Sequence, residues 1–310
     1  MKEILWLIIF TLIAEVMPAQ ITDTAYIQTG DVKIFTVLTR PDNSFNVPLA
    51  VIIAGSGPTD LNGNQPNMIN NSLLFLSEAL VKHNIATLRF DKRAIAKSSY
   101  PGFKESDLRI EMFADDVSVL FNHFEKEGFH DIYIIGHSEG SLIGLISAQD
   151  IKINGFISLC GAGNPADVIL EKQLKPKLPP AFYNQVVSMI DSLKNGQFVN
   201  NVPPQLNALF RPSVQPYLIS WFKYNPADLI KKLTCPVLII QGDKDLQVDV
   251  QEAELLENAS ADGKLVIIKN MNHVLKTVTG DMQDNIAAYT NPDLPVSEDL
   301  VKNIVDFINK

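Results

Sequence analysis

The stretch Gly136-His137-Ser138-Glu139-Gly140 concentrates the residues of this chain that could do chemistry. It follows Ile132-Tyr133-Ile134-Ile135, an apolar run of the length of a buried strand, and continues into Leu142–Gln149, which reads as a helix. A serine between two glycines at a strand-to-helix turn is the pattern of a nucleophile elbow, a turn so tight that its neighbours must be nearly free of side chain. The hydroxyl is thereby pushed out at the carboxyl end of a sheet, above a helix N-terminus. The backbone N–H of Glu139 then points at any negative charge that develops beside Ser138. The five residues alone also fit a glycine-rich turn without chemistry, so the partners of the serine decide between the two readings.

Serine at its ordinary pKa is a poor nucleophile and needs a base within hydrogen-bond reach, itself held by an acid. The chain has five histidines. His83, His123 and His130 fall on or beside helices and turns leading into strands, at the wrong edge of a parallel sheet. His137 lies inside the elbow, where its side chain is expected to point away from the serine. His273 follows the last strand, in Asn270-Met271-Asn272-His273, and is the expected base. For the acid, Gln241-Gly242-Asp243-Lys244-Asp245 leaves the preceding strand at the same edge. Asp245 is far enough into this loop to reach His273 and is preferred to Asp243, which is expected to bond backbone N–H groups at the strand end; Asp249 and Asp167 lie further out.

The elements that must position these groups alternate along the chain. Ala25–Gln28 and Val32–Leu38 flank Thr29-Gly30-Asp31, a plausible hairpin turn. Leu49–Ala54 reads as a buried strand and ends in Gly55-Ser56-Gly57-Pro58-Thr59-Asp60-Leu61-Asn62-Gly63-Asn64. Such a loop suggests backbone N–H groups left free for an anion, but no Gly-Lys-Ser/Thr follows, which excludes a P-loop. A helix over Asn71–His83, a strand over Ile85–Phe90, a helix over Leu108–Lys126 and a strand over Gly155–Leu159 follow. Arg89, Asp91 and Arg93 read as a salt-bridged brace for the loops over the serine, with direct substrate contact as the alternative. Residues 164–228 carry no convincing strand and read as a helical cap inserted after the sixth strand, its aromatics supplying mostly its own core. Strands over Pro236–Gln241 and Lys264–Lys269, a helix over Val250–Asn258 and an amphipathic helix over Glu298–Ile308 complete the sheet.

The chain has 310 residues, enough for a sizeable core, and a formal charge of −9, which argues against a nucleic-acid partner. Residues 1–19 have the build of a secretory signal cleaved after Ala19, which predicts an exported protein, periplasmic or secreted, without a stable membrane anchor; an uncleaved membrane anchor is the alternative. Cys160 and Cys235 fall at opposite edges of the expected sheet and read as buried free thiols rather than a disulfide. There is no His-rich cluster, Cys-x-x-Cys or dinucleotide loop, so no metal and no organic cofactor is expected.

From about Thr24 onward the sequence resembles the α/β-hydrolase superfamily, and more narrowly the bacterial esterases grouped with serine aminopeptidase-like and dienelactone-hydrolase-like proteins. The resemblance rests on Gly55-Ser56-Gly57-Pro58-Thr59-Asp60, Arg89-Phe90-Asp91-Lys92-Arg93, Gly136-His137-Ser138-Glu139-Gly140 and Gly242-Asp243-Lys244-Asp245. Ala94 and Ala96 stand where members often have glycines, and Leu61 where they usually have arginine. The order serine, aspartate, histidine is that family's order. The resemblance implies an α/β fold built on a mostly parallel eight-stranded sheet with helices on both faces, residues 20–163 and 229–310 forming the core. It places the second oxyanion donor at the N–H of Ser56, with Gly57 behind it, beside that of Glu139. The expected activity is hydrolysis of small-molecule carboxylic esters through an acyl-enzyme on Ser138, with Asp245 and His273 completing a triad. An exported aminopeptidase-like serine peptidase on the same triad is the alternative, favoured if acidic residues of the cap (Asp167, Glu171, Asp191, Asp228) grip an ammonium group. A catalytically dead binding module is the third reading.

Overall fold

The computed structural model describes residues 20–42 and 45–310, so the expected signal segment at 1–19 lies outside the described residues. One eight-stranded sheet runs through the chain: β1 (Ile21–Thr29), β2 (Val32–Arg40), β3 (Leu49–Ile53), β4 (Ala86–Phe90), β5 (Ile132–His137), β6 (Gly155–Leu159), β7 (Val237–Gly242) and β8 (Gly263–Ile268). The spatial order is β1-β2-β4-β3-β5-β6-β7-β8. Only β2 breaks the parallel arrangement, pairing antiparallel with both β1 and β4. Gly30 turns the β1–β2 hairpin at φ 58°, in the left-handed region that costs glycine nothing.

Side chains alternate across the sheet as strand geometry requires. Leu49, Val51 and Ile53 of β3 pack with α2 (Ile110–Lys126), α3 (Glu139–Ser147), α8 (Pro226–Ile230) and α9 (Val250–Ala259). Ala50, Ile52 and Ala54 face the opposite way, into a core closed by α1 (Ser72–Lys82) and α11 (Glu298–Ile308). The α11 stripe Leu300, Val301, Ile304 and Ile308 is the buried face expected of the amphipathic C-terminal segment. Both faces are therefore covered, which is why the central strands read as continuous apolar runs rather than alternating ones.

Between β6 and β7 the chain forms α4 (Ala166–Leu174), α5 (Pro180–Lys194), α6 (Asn207–Phe210), α7 (Gln215–Trp221) and α8. Val186, Ile190, Leu193, Phe210, Leu218 and Phe222 make a separate apolar cluster for this insertion. Tyr217 and Tyr224 pack instead against the sheet-side core, Tyr217 edge-on to Phe113 of α2 with ring centroids 5.9 Å apart, and Trp221 packs against both clusters. The expected boundary at 228/229 falls inside α8, because Leu229 and Ile230 belong to the main core. A further short helix, α10 (Met282–Ala288), lies in a stretch the sequence pattern left unassigned; Asp281 caps it through the amides of Gln283 and Asp284.

The loop after β4 is braced from within. Arg93 forks onto Asp116 of α2 at 2.8 and 2.7 Å, with both side chains buried, and Thr29 donates to the same carboxylate. Asp91 accepts the amides of Leu61 and Lys97, while Arg89 donates to Asn62. Ala94 and Ala96 hold φ of 61° and 45°, in the left-handed region where a glycine would carry no steric cost. Removing one partner of a buried pair strands the other charge. Arg93→Met should therefore lower unfolding free energy by about 3–5 kcal/mol in urea titrations, and adding Asp116→Leu should recover most of that loss.

Candidate active site

The elbow is set by two steric facts. A Cβ on Gly136 would lie 2.4 Å from the Gly140 carbonyl oxygen, and one on Gly140 would lie 2.3 Å from that of Ile53. With both positions bare, β5 and α3 close on each other and Ser138 takes φ 55°, ψ −121°. Its amide donates to the Leu159 carbonyl at 2.9 Å, fixing the turn to β6. The Ser138 side chain is half-buried and makes no hydrogen bond to any described residue, His273 included. Hydroxyl contacts of this kind are often loose before substrate arrives.

Asp245 and His273 are brought together. His273 Nδ1 lies 2.7 Å from Asp245 Oδ2, with the carboxylate wholly buried and the imidazole nearly so. Asp245 Oδ1 accepts the amides of Gln247 and Val248, and Oδ2 also accepts from Gln241 Nε2. Burial pushes this carboxyl up, but the His273 charge and hydrogen bond, with the two amides, outweigh it and hold the pKa below the usual value. Asp243 instead accepts the Asn270 amide at 2.6 Å, the backbone role expected of it. The two loops are stitched by groups with no sequence signature. Asn272 Nδ2 donates to Asn285 of α10, whose own Nδ2 donates to the Lys244 carbonyl. A Cβ on Gly242 would come 2.0 Å from the Met271 carbonyl oxygen, so only glycine lets the β7 and β8 loops meet.

The glycine-rich loop runs past the serine. Gly55 is buried, and a Cβ there would lie 3.2 Å from Ser138 Cβ. Among the described residues, the N–H groups of Ser56 and Glu139 have no hydrogen-bond partner. Lys92, unremarkable in the sequence between Asp91 and Arg93, holds this arrangement from below. Its ammonium, almost wholly buried, donates to the Gly55 carbonyl at 2.5 Å and lies 3.4 Å from Glu139 Oε1, itself 6% exposed. One buried cation thus ties the loop of Ser56 to the first residue of α3. The Tyr217 hydroxyl from α7 is buried nearby without a partner, and burial, then the Glu139 charge, hold its pKa well above the ordinary value.

Of the acidic residues of the insertion, Asp167 is buried and pairs with Lys194 at 2.5 Å, whereas Asp191 and Asp228 are exposed. Glu171 and Asp191 also interact electrostatically with Lys194, and burial, then the Asp191 and Asp167 charges, raise the Glu171 pKa. Both cysteines are free, Cys160 buried and Cys235 half-buried.

His137, which points away from the serine as expected, has a structural role. Its Nε2–H donates to the His273 carbonyl at 2.7 Å, and the two rings lie 5.1 Å apart. Burial, then the neighbouring His273 charge, lower its pKa to about 4. The unfolded chain takes up this proton near the ordinary pKa of about 6.5, well before the folded one. The associated stability is complete above that value and is lost as pH falls towards about 4, a change on the order of 3 kcal/mol. His137→Gln keeps a donor for the carbonyl and removes the titration. Urea midpoints measured across this window should fall less steeply for the variant than for the wild type.

No family model matches the chain. Esterase EstD of Thermotoga maritima is 25% identical over 245 residues, which cover 77% of this chain but only 57% of EstD. Est1E from Butyrivibrio proteoclasticus, solved with ferulic acid bound, superposes with a TM-score of 0.61 at 21% identity, over 92% of this chain and 100% of that one. The proline iminopeptidase of Mycobacterium smegmatis gives 0.60 at 14% identity, over 93% and 98%. Sheet order, elbow and likeness agree: the chain has the α/β-hydrolase fold.

Proposed function

We propose that the protein is a serine hydrolase of carboxylic esters. The observation that carries this reading is the buried 2.7 Å contact between His273 Nδ1 and Asp245, in loops at the same sheet edge as a serine held at φ 55°. Ser138 attacks the ester carbonyl while His273 Nε2 accepts its proton. Asp245 holds the ring with Nδ1–H facing the carboxylate and stabilises the imidazolium that forms. The unpaired N–H groups of Ser56 and Glu139 receive the oxyanion, each contributing on the order of 3 kcal/mol to lowering the barrier. His273 then protonates the departing alkoxide, and water repeats the attack on the acyl-enzyme. The helical insertion acts as the cap over the serine.

Esters rather than peptides are favoured by the likeness to EstD, a protein named as an esterase. A peptidase that grips a substrate ammonium group needs a free acid; Asp167 is already matched by Lys194, so that role would fall to the exposed Asp191 or Asp228. The proposal is tested by intact-mass analysis after fluorophosphonate treatment. The wild type should gain one adduct and Ser138→Ala none, and p-nitrophenyl esters should be hydrolysed faster than aminoacyl p-nitroanilides. Absence of any adduct on the folded wild type would move the dead-site reading to the front. Asp245→Asn should lower kcat by about 10⁴-fold, whereas Asp243→Asn, which keeps an oxygen to accept the Asn270 amide, should stay within about tenfold.

A further inference from the structure

We infer that Cys160, Asp245 and His273 form an inhibitory site for a thiophilic divalent cation such as Zn²⁺. The inference rests on the proposed role of His273 for its consequence, but not for the binding itself. The three side chains come from the carboxyl ends of consecutive sheet neighbours, β6, β7 and β8. Their ligand atoms (one sulfur, one carboxylate oxygen and one imidazole nitrogen) all lie within 4.8 Å of one another. Cys160 is fully buried, at φ 52°, and its amide is tied to the Ile240 carbonyl at 2.9 Å. Zinc–nitrogen and zinc–oxygen bonds of about 2.0–2.2 Å and zinc–sulfur bonds of about 2.3 Å put tetrahedral ligand atoms about 3.3–3.6 Å apart. The Nδ1···Oδ2 pair must therefore open from 2.7 Å. A neighbouring side chain carries an unpaired oxygen. The Gln241 side chain is wholly buried, gives its amide nitrogen to Asp245 Oδ2, and leaves Oε1 without a partner.

The charges balance. Asp245 is already a carboxylate, the thiol releases its proton to solvent, and the resulting thiolate and carboxylate cancel the two charges of the ion. A buried site left neutral avoids the cost of a bare ion in a low-dielectric interior. The imidazole keeps its single proton, which moves from Nδ1 to Nε2 as Nδ1 binds the metal. The ring then presents an N–H, not a lone pair, towards the serine. Acid and base are lost in one binding event.

Cobalt(II) is the spectroscopic probe, added to the full chain without oxygen. The wild type and Cys235→Ala should both develop a near-ultraviolet thiolate-to-cobalt band that Zn²⁺ bleaches, and Cys160→Ala should not. Zn²⁺ should block fluorophosphonate labelling of the wild type, with recovery on adding EDTA. Cys160→Ala should still be labelled and be at least about tenfold less sensitive to the ion. Cys160→Ser serves if the alanine variant does not fold. A band that persists without Cys160, a band that vanishes with Cys235, or equal zinc sensitivity of wild type and Cys160 variants would overturn the inference. A cobalt band on a protein that fluorophosphonate never labels would instead uphold the metal site and remove the hydrolase reading.

Discussion

Everything at the carboxyl edge of this sheet depends on how closely α3 approaches β5 and β3. The approach exists because two backbone carbonyls occupy the space that side chains at Gly136 and Gly140 would need. It forces Ser138 into a left-handed conformation that residues other than glycine rarely hold. The same closeness brings the first amide of the helix to the serine and puts the Glu139 side chain into the interior. Strain in one residue and a buried carboxylate are both consequences of one steric constraint.

The buried charges answer that constraint. Lys92 faces Glu139 and Arg93 faces Asp116, the His273 imidazole is hydrogen-bonded to the Asp245 carboxylate, and each of these pairs joins different segments of the chain. Such pairs add little net stability against an apolar alternative, but each penalises any arrangement that separates its members. Here they fix the loops after β3, β4, β7 and β8 relative to the elbow. Neutral groups complete the bracing, with His137 holding the backbone of His273 and Asn285 bridging to the Lys244 carbonyl.

The sheet was legible because its strands are short apolar runs punctuated by glycine-rich loops, and β1 and β2 extended only a few residues beyond the expected runs. The contact between Asp245 and His273 was legible because both follow strands at one edge, so connectivity alone narrows the choice. What escaped detection has no local pattern. Lys92 sits among charged neighbours and reads as surface, and only the three-dimensional path of the loop after β3 makes it a buried clamp. His137 points away from the serine, as its place in the strand predicts, yet the partner it finds is a carbonyl 136 residues later. Helix α10 is capped by aspartates rather than announced by an apolar stripe, with Ile286 and Met282 both exposed.

The groups gathered around Ser138 come from loops after β3, β5, β7 and β8, from Gly55 to His273, and the sheet order is not the chain order. Pairings of such long sequence separation form late, after the entropy of closing large loops has been met. On the proposed reading, a chain ending before β7 would own the serine and its amide donors but neither acid nor base. The α11 helix, which follows β8, seals the face of the sheet opposite α2 and α3. On that reading the serine stays chemically quiet until β7 and β8 have joined the sheet, and its reactivity arrives with them.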